Sequence, residues 1–332
     1  MGYRVTNTSM DSVIAKLRES CRVYAPKISP QGDVRYGEVA SVEEIVFDRK
    51  SDHAPKEVIY PIVQAMLYFA DDTCTESVAE DGDIVLFVRP CDIHALQRLD
   101  AVFLRNGDRP DMYYARMRSK VKFFMIECTT GWDTCFCVSM GANQTDDYSV
   151  ALRPAEDGFE VHVRDDAFAP LFTSFPVCGF TPAFVEVNEK MISLPVISGA
   201  QTATVHSLAF WQEYEDLCIS CGGCNAACGT CGCFDTVDIV YTETSRSGER
   251  RRVWACCMQP EFSAMAGGHN VRRTQGERMR FKVMHKIHDF QKRFGGRPMC
   301  VGCGRCAVRC PKGIAFADVV SRLHDEMEKG GA

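Results

Sequence analysis

The chain has 332 residues, 46% hydrophobic and 25% charged, with a formal charge of −6. That is the composition of an ordinary folded protein, and it excludes disordered, collagen-like and coiled-coil classes. No run approaches the ~20 apolar residues of a membrane span, so no membrane anchor is expected. The 19 cysteines steer everything else.

In chain order, residues 1–20 lack the apolar core of a signal peptide, which predicts a cytoplasmic protein. The Val13, Ile14 and Leu17 spacing predicts an amphipathic helix. From Arg22 to about Pro195, strand-like runs alternate with helical patterns, an α/β organisation. Strands are expected over 83–89, 121–127 and 159–163, with a helix over 93–104. Residues 195–204 read as a linker, giving an α/β domain over 1–195 and a second domain over 205–332. From Trp211 onward cysteine clusters, glycines and helical patterns replace β-branched alternation, and a mostly helical metal domain is expected. Its stretch 246–297 holds 13 Lys/Arg against 4 Asp/Glu, while Met279, Val283, Ile287, Phe290 and Phe294 recur at helical spacing.

A reducing cytoplasm does not keep structural disulfides, so grouped cysteines point to metal or redox chemistry. The strongest motif is C-x2-C-x2-C-x3-C, present twice: Cys218, Cys221, Cys224, Cys228, and Cys300, Cys303, Cys306, Cys310 followed by Pro311. Three thiolates at this spacing wrap one cubane while the fourth reaches the other cluster. One [4Fe–4S] cluster is therefore expected on Cys218, Cys221, Cys224 and Cys310, and a second on Cys300, Cys303, Cys306 and Cys228. Zinc also uses C-x2-C, but it offers no reason for two identical quartets. Gly229 stands where such motifs usually carry proline. The 71 residues between Cys228 and Cys300, if filled by helix, fit a dicluster domain of the α-helical ferredoxin type.

A further group comprises Cys91, Cys128, Cys135 and Cys137. Cys91 follows one predicted strand and Cys128 another, so parallel strands would bring both to one sheet edge, where open α/β sheets bind ligands. A third [4Fe–4S] cluster is expected there, with zinc and plain core packing as the competing readings. Cys231, Cys233 and Cys257 are weaker candidates for another cluster or zinc, with the adjacent Cys256 the first to drop. Cys21, Cys74 and Cys178 stand alone and are assigned to core packing. No dinucleotide fingerprint, phosphate loop or haem-attachment motif is present. These features describe an electron carrier without a substrate site of its own.

Arg89-Pro-Cys-Asp92, Glu127-Cys128 with Cys135-Phe-Cys-Val-Ser-Met140, the Cys218 run, Gly248-Glu-Arg-Arg-Arg252, residues 254–258, Ala266-Gly-Gly-His-Asn270 and Met284-His-Lys286 together resemble the iron–sulfur electron-transfer subunit of the anaerobic sulfite reductase. Through Cys91, Cys135, Cys137 and the ferredoxin elements the chain more loosely resembles the β subunit of soluble sulfhydrogenases. The resemblance implies a non-catalytic iron–sulfur relay between an NAD(P)H-oxidising flavoprotein and a catalytic subunit, sirohaem-bearing in the sulfite reductase, where sulfite is reduced to sulfide. It maps further family cysteines onto Cys91, Cys128, Cys135, Cys137, Cys231, Cys233 and Cys257. Neither nucleic acid nor membrane is expected as a partner. Two other classes compete: an enzyme whose first-domain cluster has an open iron, with Arg89 or Asp92 as polar partner, and a zinc-stabilised scaffold.

Overall fold

A computed structural model describes residues 1–78, 82–244 and 246–329. Its strands in chain order are β1 (Gly2–Thr6), β2 (Cys21–Ile28), β3 (Val34–Glu38), β4 (Val63–Ala70), β5 (Thr73–Glu76), β6 (Asp83–Val88), β7 (Val121–Ile126), β8 (Val150–Ala155), β9 (Gly158–Val163), β10 (Val177–Cys178), β11 (Phe234–Val240) and β12 (Gly248–Trp254). Eight form one mixed sheet in the order β10-β1-β9-β8-β7-β6-β2-β3, and four form a second sheet, β11-β12-β4-β5.

The large sheet is parallel at its centre, from β2 through β6 and β7 to β8, and antiparallel at its flanks. Side chains alternate between its faces, as the two-residue period of a strand requires. Val85, Phe87, Phe124 and Ile126 meet Met10, Val13, Ile14 and Leu17 of the helix Asn7–Leu17. Ile84, Leu86, Phe123 and Met125 meet Ile93, Leu96, Leu99 and Phe103 of the helix Pro90–Leu104. Covered on both faces, β6 and β7 are apolar apart from Asp83 and Lys122 near their starts, which is why they were legible. Because they are parallel, Cys91 and Cys128 leave the sheet at the same edge.

The expectation of a mostly helical ferredoxin domain is overturned: 34% of the described residues are helical, and the segment between Cys228 and Cys300 contains β11 and β12. This hairpin joins β4 and β5 in one antiparallel sheet. Its strands were hidden because β11, exposed along nearly its whole length, carries only the short alternation Val237-Asp238-Ile239, too brief to mark a strand. Its charges are matched across the ladder instead, Arg250 Nε donating to Asp238 Oδ1 at 2.7 Å. Arg252 goes the other way: at 1% exposure it packs on Tyr60, Phe103 and Phe234 and donates to Asp111 Oδ2 at 2.7 Å.

The helix Gln275–Met284 starts at a reciprocal cap, with Glu277 N–H donating to Thr274 Oγ1 at 3.2 Å and Thr274 N–H to Glu277 Oε2 at 3.3 Å. It continues through a π-turn, His285–Asp289, into Phe290–Phe294. Met279, Val283 and Ile287 share a core with Val319, Val320 and Leu323 of the helix Phe316–Lys329. Among the described residues, no helix is long and apolar enough to cross a membrane.

Candidate iron–sulfur centres

The two cysteine loops are built alike, each opening into a single helical turn, Gly223–Ala226 or Arg305–Val308. Gly222 (φ 77°) and Gly304 (φ 70°) precede those turns in left-handed backbone, where a Cβ is costly. At Gly304 space forbids it as well: a Cβ would lie 2.1 Å from the Thr134 carbonyl oxygen, and one at Gly302 would lie 2.5 Å from that of Phe136. The second loop is thus pressed backbone to backbone against the loop bearing Cys135 and Cys137, and Phe136 N–H donates to Gly302 O at 2.8 Å. The departure at Gly229 has a similar cause, since a Cβ there would stand 2.9 Å from that of Ala95.

Cys218, Cys221, Cys224 and Cys310 line one pocket, walled by Ile219, Met258, Met279, Ile314 and Phe316. Cys310 comes from the second motif, so this pocket draws sulfurs from both motifs. Cys306 also lines this pocket. Conversely, the thiols of Cys300, Cys306 and Cys228 lie close enough to interact electrostatically. Cys303 couples to Cys306 and faces the first-domain cysteines, its carbonyl accepting from Cys135 Sγ at 3.8 Å.

At the edge of the large sheet, Cys128, Cys135 and Cys137 interact with one another, and Cys91 with Cys137 and Cys303. Burial pushes the Cys137 thiol up to about 12, with the Cys135 charge adding to it; loading such a site with metal must release protons. Cys137 Sγ also lies 3.5 Å from Asn188 Oδ1. The polar groups an open-iron enzyme would use here are engaged elsewhere. Arg89 donates to Phe47 O at 2.7 Å and stacks on Trp132. Asp92 is held by Arg305 and by Tyr36 Oη at 3.1 Å.

In the remaining group all thiols are free, and the Cys231 thiol donates a hydrogen bond to Cys228 and the Cys233 thiol one to Cys257. The bond from Cys233, against burial and with help from Asn225, holds the Cys257 thiol down to about 6. Asn225 Nδ2 donates to Cys257 Sγ at 3.1 Å. Cys256 diverges from its neighbour: its sulfur accepts from Met258 N–H at 3.4 Å and stands over Gly222. Of the isolated cysteines, Cys21 and Cys178 are partly buried and Cys74 is exposed on β5, so packing does not describe Cys74.

Four lysines that sequence reading did not single out stand among these sulfurs. Lys282 Nζ donates to Cys224 Sγ at 2.7 Å, Lys286 Nζ to Cys228 Sγ at 3.4 Å, and Lys50 Nζ to Cys135 Sγ at 3.5 Å. Lys56 Nζ donates to Cys231 O at 2.9 Å and lies 3.8 Å over the Trp254 ring. Burial works against the charge of Lys282 and Lys286, yet the nearby thiolates, led by Cys224 and Cys228 respectively, hold both above the ordinary lysine value. At Lys56 burial wins and the value falls. The available signal was positional: 282 and 286 share the apolar helix face of Met279 and Val283. Much of the basic stretch is therefore spent inside, with Arg252, Arg278, Lys282 and Lys286 buried and Arg250 and Arg251 paired with Asp238 and Glu249.

Among the described residues, no three His, Cys, Asp or Glu side chains converge as one metal ion would require. A set of thiols in a largely apolar pocket fits a cubane. Residues 217–314 match the family described as a 4Fe-4S dicluster domain, which makes this an iron–sulfur protein that holds [4Fe–4S] clusters. Over 328 residues the chain is 32% identical to the sulfhydrogenase 2 subunit beta of Pyrococcus furiosus, covering 93% of this chain and 94% of that one. The chain belongs to the sulfhydrogenase β-subunit family. Of the two resemblances drawn from the motifs, the looser one is thus the one the comparison supports.

Proposed function

We propose that the chain is the electron-transfer subunit of a multisubunit oxidoreductase of the sulfhydrogenase kind, relaying electrons between a subunit that oxidises NAD(P)H on a flavin and a catalytic subunit. The observation that carries this reading is the pocket that cysteines of both motifs share, with Cys310 beside Cys218, Cys221 and Cys224. The proposed ligands are those four for one cluster, Cys300, Cys303, Cys306 and Cys228 for a second, and Cys91, Cys128, Cys135 and Cys137 for a third. Cys231, Cys233 and Cys257 are further candidates. The complex is proposed to be cytoplasmic, and the two domains to divide near residues 195–205.

The second reading is an anaerobic sulfite reductase, in which the catalytic partner carries sirohaem; it rests on the sequence segments that resemble the iron–sulfur subunit of that enzyme. Purifying the complex anaerobically through a tag on this chain separates the two. Hydrogen-dependent reduction of NAD(P)⁺ without sulfite reduction supports the first reading, and NAD(P)H-dependent sulfide production from sulfite supports the second. Full sulfite reduction with dithionite by the isolated chain would overturn the relay itself.

A further inference from the structure

Lys282 and Lys286 lie four residues apart, one at the end of the helix Gln275–Met284 and one inside the π-turn that follows. Such turns are frequent where a helix serves a site rather than only a core. Their hydrogen bonds go to different sulfurs, Lys282 Nζ standing 2.7 Å from Cys224 and Lys286 Nζ 3.4 Å from Cys228, although Lys282 also interacts with Cys306 and both with Cys231. Under the crossed assignment Cys224 and Cys228 belong to different clusters. Both lysines are 4% exposed, and their bonded partners are sulfur and the Thr230 hydroxyl, 2.7 Å from Lys286, rather than a carboxylate.

A buried ammonium without a carboxylate is costly unless another negative charge offsets it. Here that charge is on the sulfurs, and it grows when a cluster accepts an electron. A fixed cation at this range therefore stabilises the reduced state more than the oxidised one, and burial keeps solvent and salt from screening it. Charge and hydrogen bonds to the sulfurs are the levers by which a protein sets a cluster's potential. Water or a surface lysine would exert a weaker pull.

We propose that Lys282 and Lys286 each raise the reduction potential of one cluster, Lys282 that on Cys218, Cys221, Cys224 and Cys310, and Lys286 that on Cys300, Cys303, Cys306 and Cys228. One turn of helix thereby fixes how readily each half of the relay takes an electron. This rests on the cluster assignment above and adds to it a pair of residues that act on the clusters without ligating them.

The test is an EPR-monitored redox titration of the purified complex carrying Lys282→Met or Lys286→Met, with iron content measured alongside and signals assigned through Cys221→Ser and Cys303→Ser. Each Met variant lowers the potential of its own cluster by at least a tenfold change in the reduction constant, about 59 mV for a one-electron couple, and moves the other less. Lys→Arg variants keep the cation and stay near the wild-type potentials. Unmoved potentials in Met variants that retain their iron overturn the proposal. Should the Met variants lose iron, Lys→Gln variants, which keep a donor but no charge, are titrated instead. If those lose iron too while Lys→Arg keeps it, the cations serve cluster assembly and the proposal is again overturned. Absence of iron from the wild type would sink the cluster assignment itself, a separate result.

Discussion

Arg305 and Asp92 form a buried ion pair, Arg305 Nη2 lying 3.0 Å from Asp92 Oδ2 with the two side chains 2% and 0% exposed. Asp92 follows Cys91 and Arg305 precedes Cys306, so the pair pins the start of the helix Pro90–Leu104 to the second cysteine loop. Arg305 completes its bonding with Ser51 O and Oγ, each at 2.9 Å. Removing one partner of a buried pair leaves the other charge uncompensated, at a cost of about 3–5 kcal/mol. Asp92→Ala should destabilise the protein on that scale, whereas Tyr36→Phe, losing one hydrogen bond to Asp92, should cost about 1 kcal/mol. Denaturant titration of the two variants checks both; equal, small effects would contradict the pinning role.

Gly304→Ala should be worse than a glycine-to-alanine change in ordinary backbone. Left-handed φ alone costs about 1–3 kcal/mol for a side-chain-bearing residue, and the added Cβ meets the Thr134 carbonyl oxygen at 2.1 Å. The two loops must separate, so iron at the second motif should fall while iron at the first is retained. Gly313→Ala, whose Cβ meets nothing within 4 Å, is the control, carrying the φ penalty without the clash.

The core of the large sheet and the paired cysteine motifs were legible because each obeys a local rule: β6 and β7 are apolar apart from Asp83 and Lys122, and the motif spacing reflects how a loop wraps a cubane. The β11–β12 hairpin was not legible, since its strands are stabilised by Arg250 with Asp238 and by a buried Arg252, residues that read as surface. Nor could spacing show that Gly302 and Gly304 abut Phe136 and Thr134. The basic stretch was visible as charge, but its destination was not: Lys282 and Lys286 are buried against sulfur, and only the fold decides that.

Burial holds the imidazole of His285 down to about 4 from its ordinary 6.5. Below 6.5 the unfolded chain binds a proton that the folded chain refuses, so stability falls as pH drops from 6.5 toward 4 and levels off beneath. His285→Gln should flatten the stability profile within that window and leave it unchanged above 6.5. Denaturant titrations across the window read the slope, and an unaltered slope would contradict the assignment.

The part of the basic stretch left at the surface includes Arg273, Lys292 and Arg293. If an acidic partner docks there, charge reversal at Arg273 and Lys292 should slow turnover or assembly of the complex, more at low salt than high, with cluster content intact. A salt-independent loss, or a loss of iron, would place these residues in folding rather than docking.

The measurement that bears most directly on the central claim is iron and sulfide content with EPR on the reduced, anaerobically purified complex, repeated for single Cys→Ser variants. Two four-iron clusters require about eight irons per chain and two interacting signals, with any third cluster adding to both. Crossed ligation predicts that Cys228→Ser perturbs the same signal as Cys303→Ser, and Cys310→Ser the same one as Cys221→Ser. Fewer than about four irons accompanied by zinc, or a Cys228→Ser spectrum matching Cys221→Ser, would contradict it.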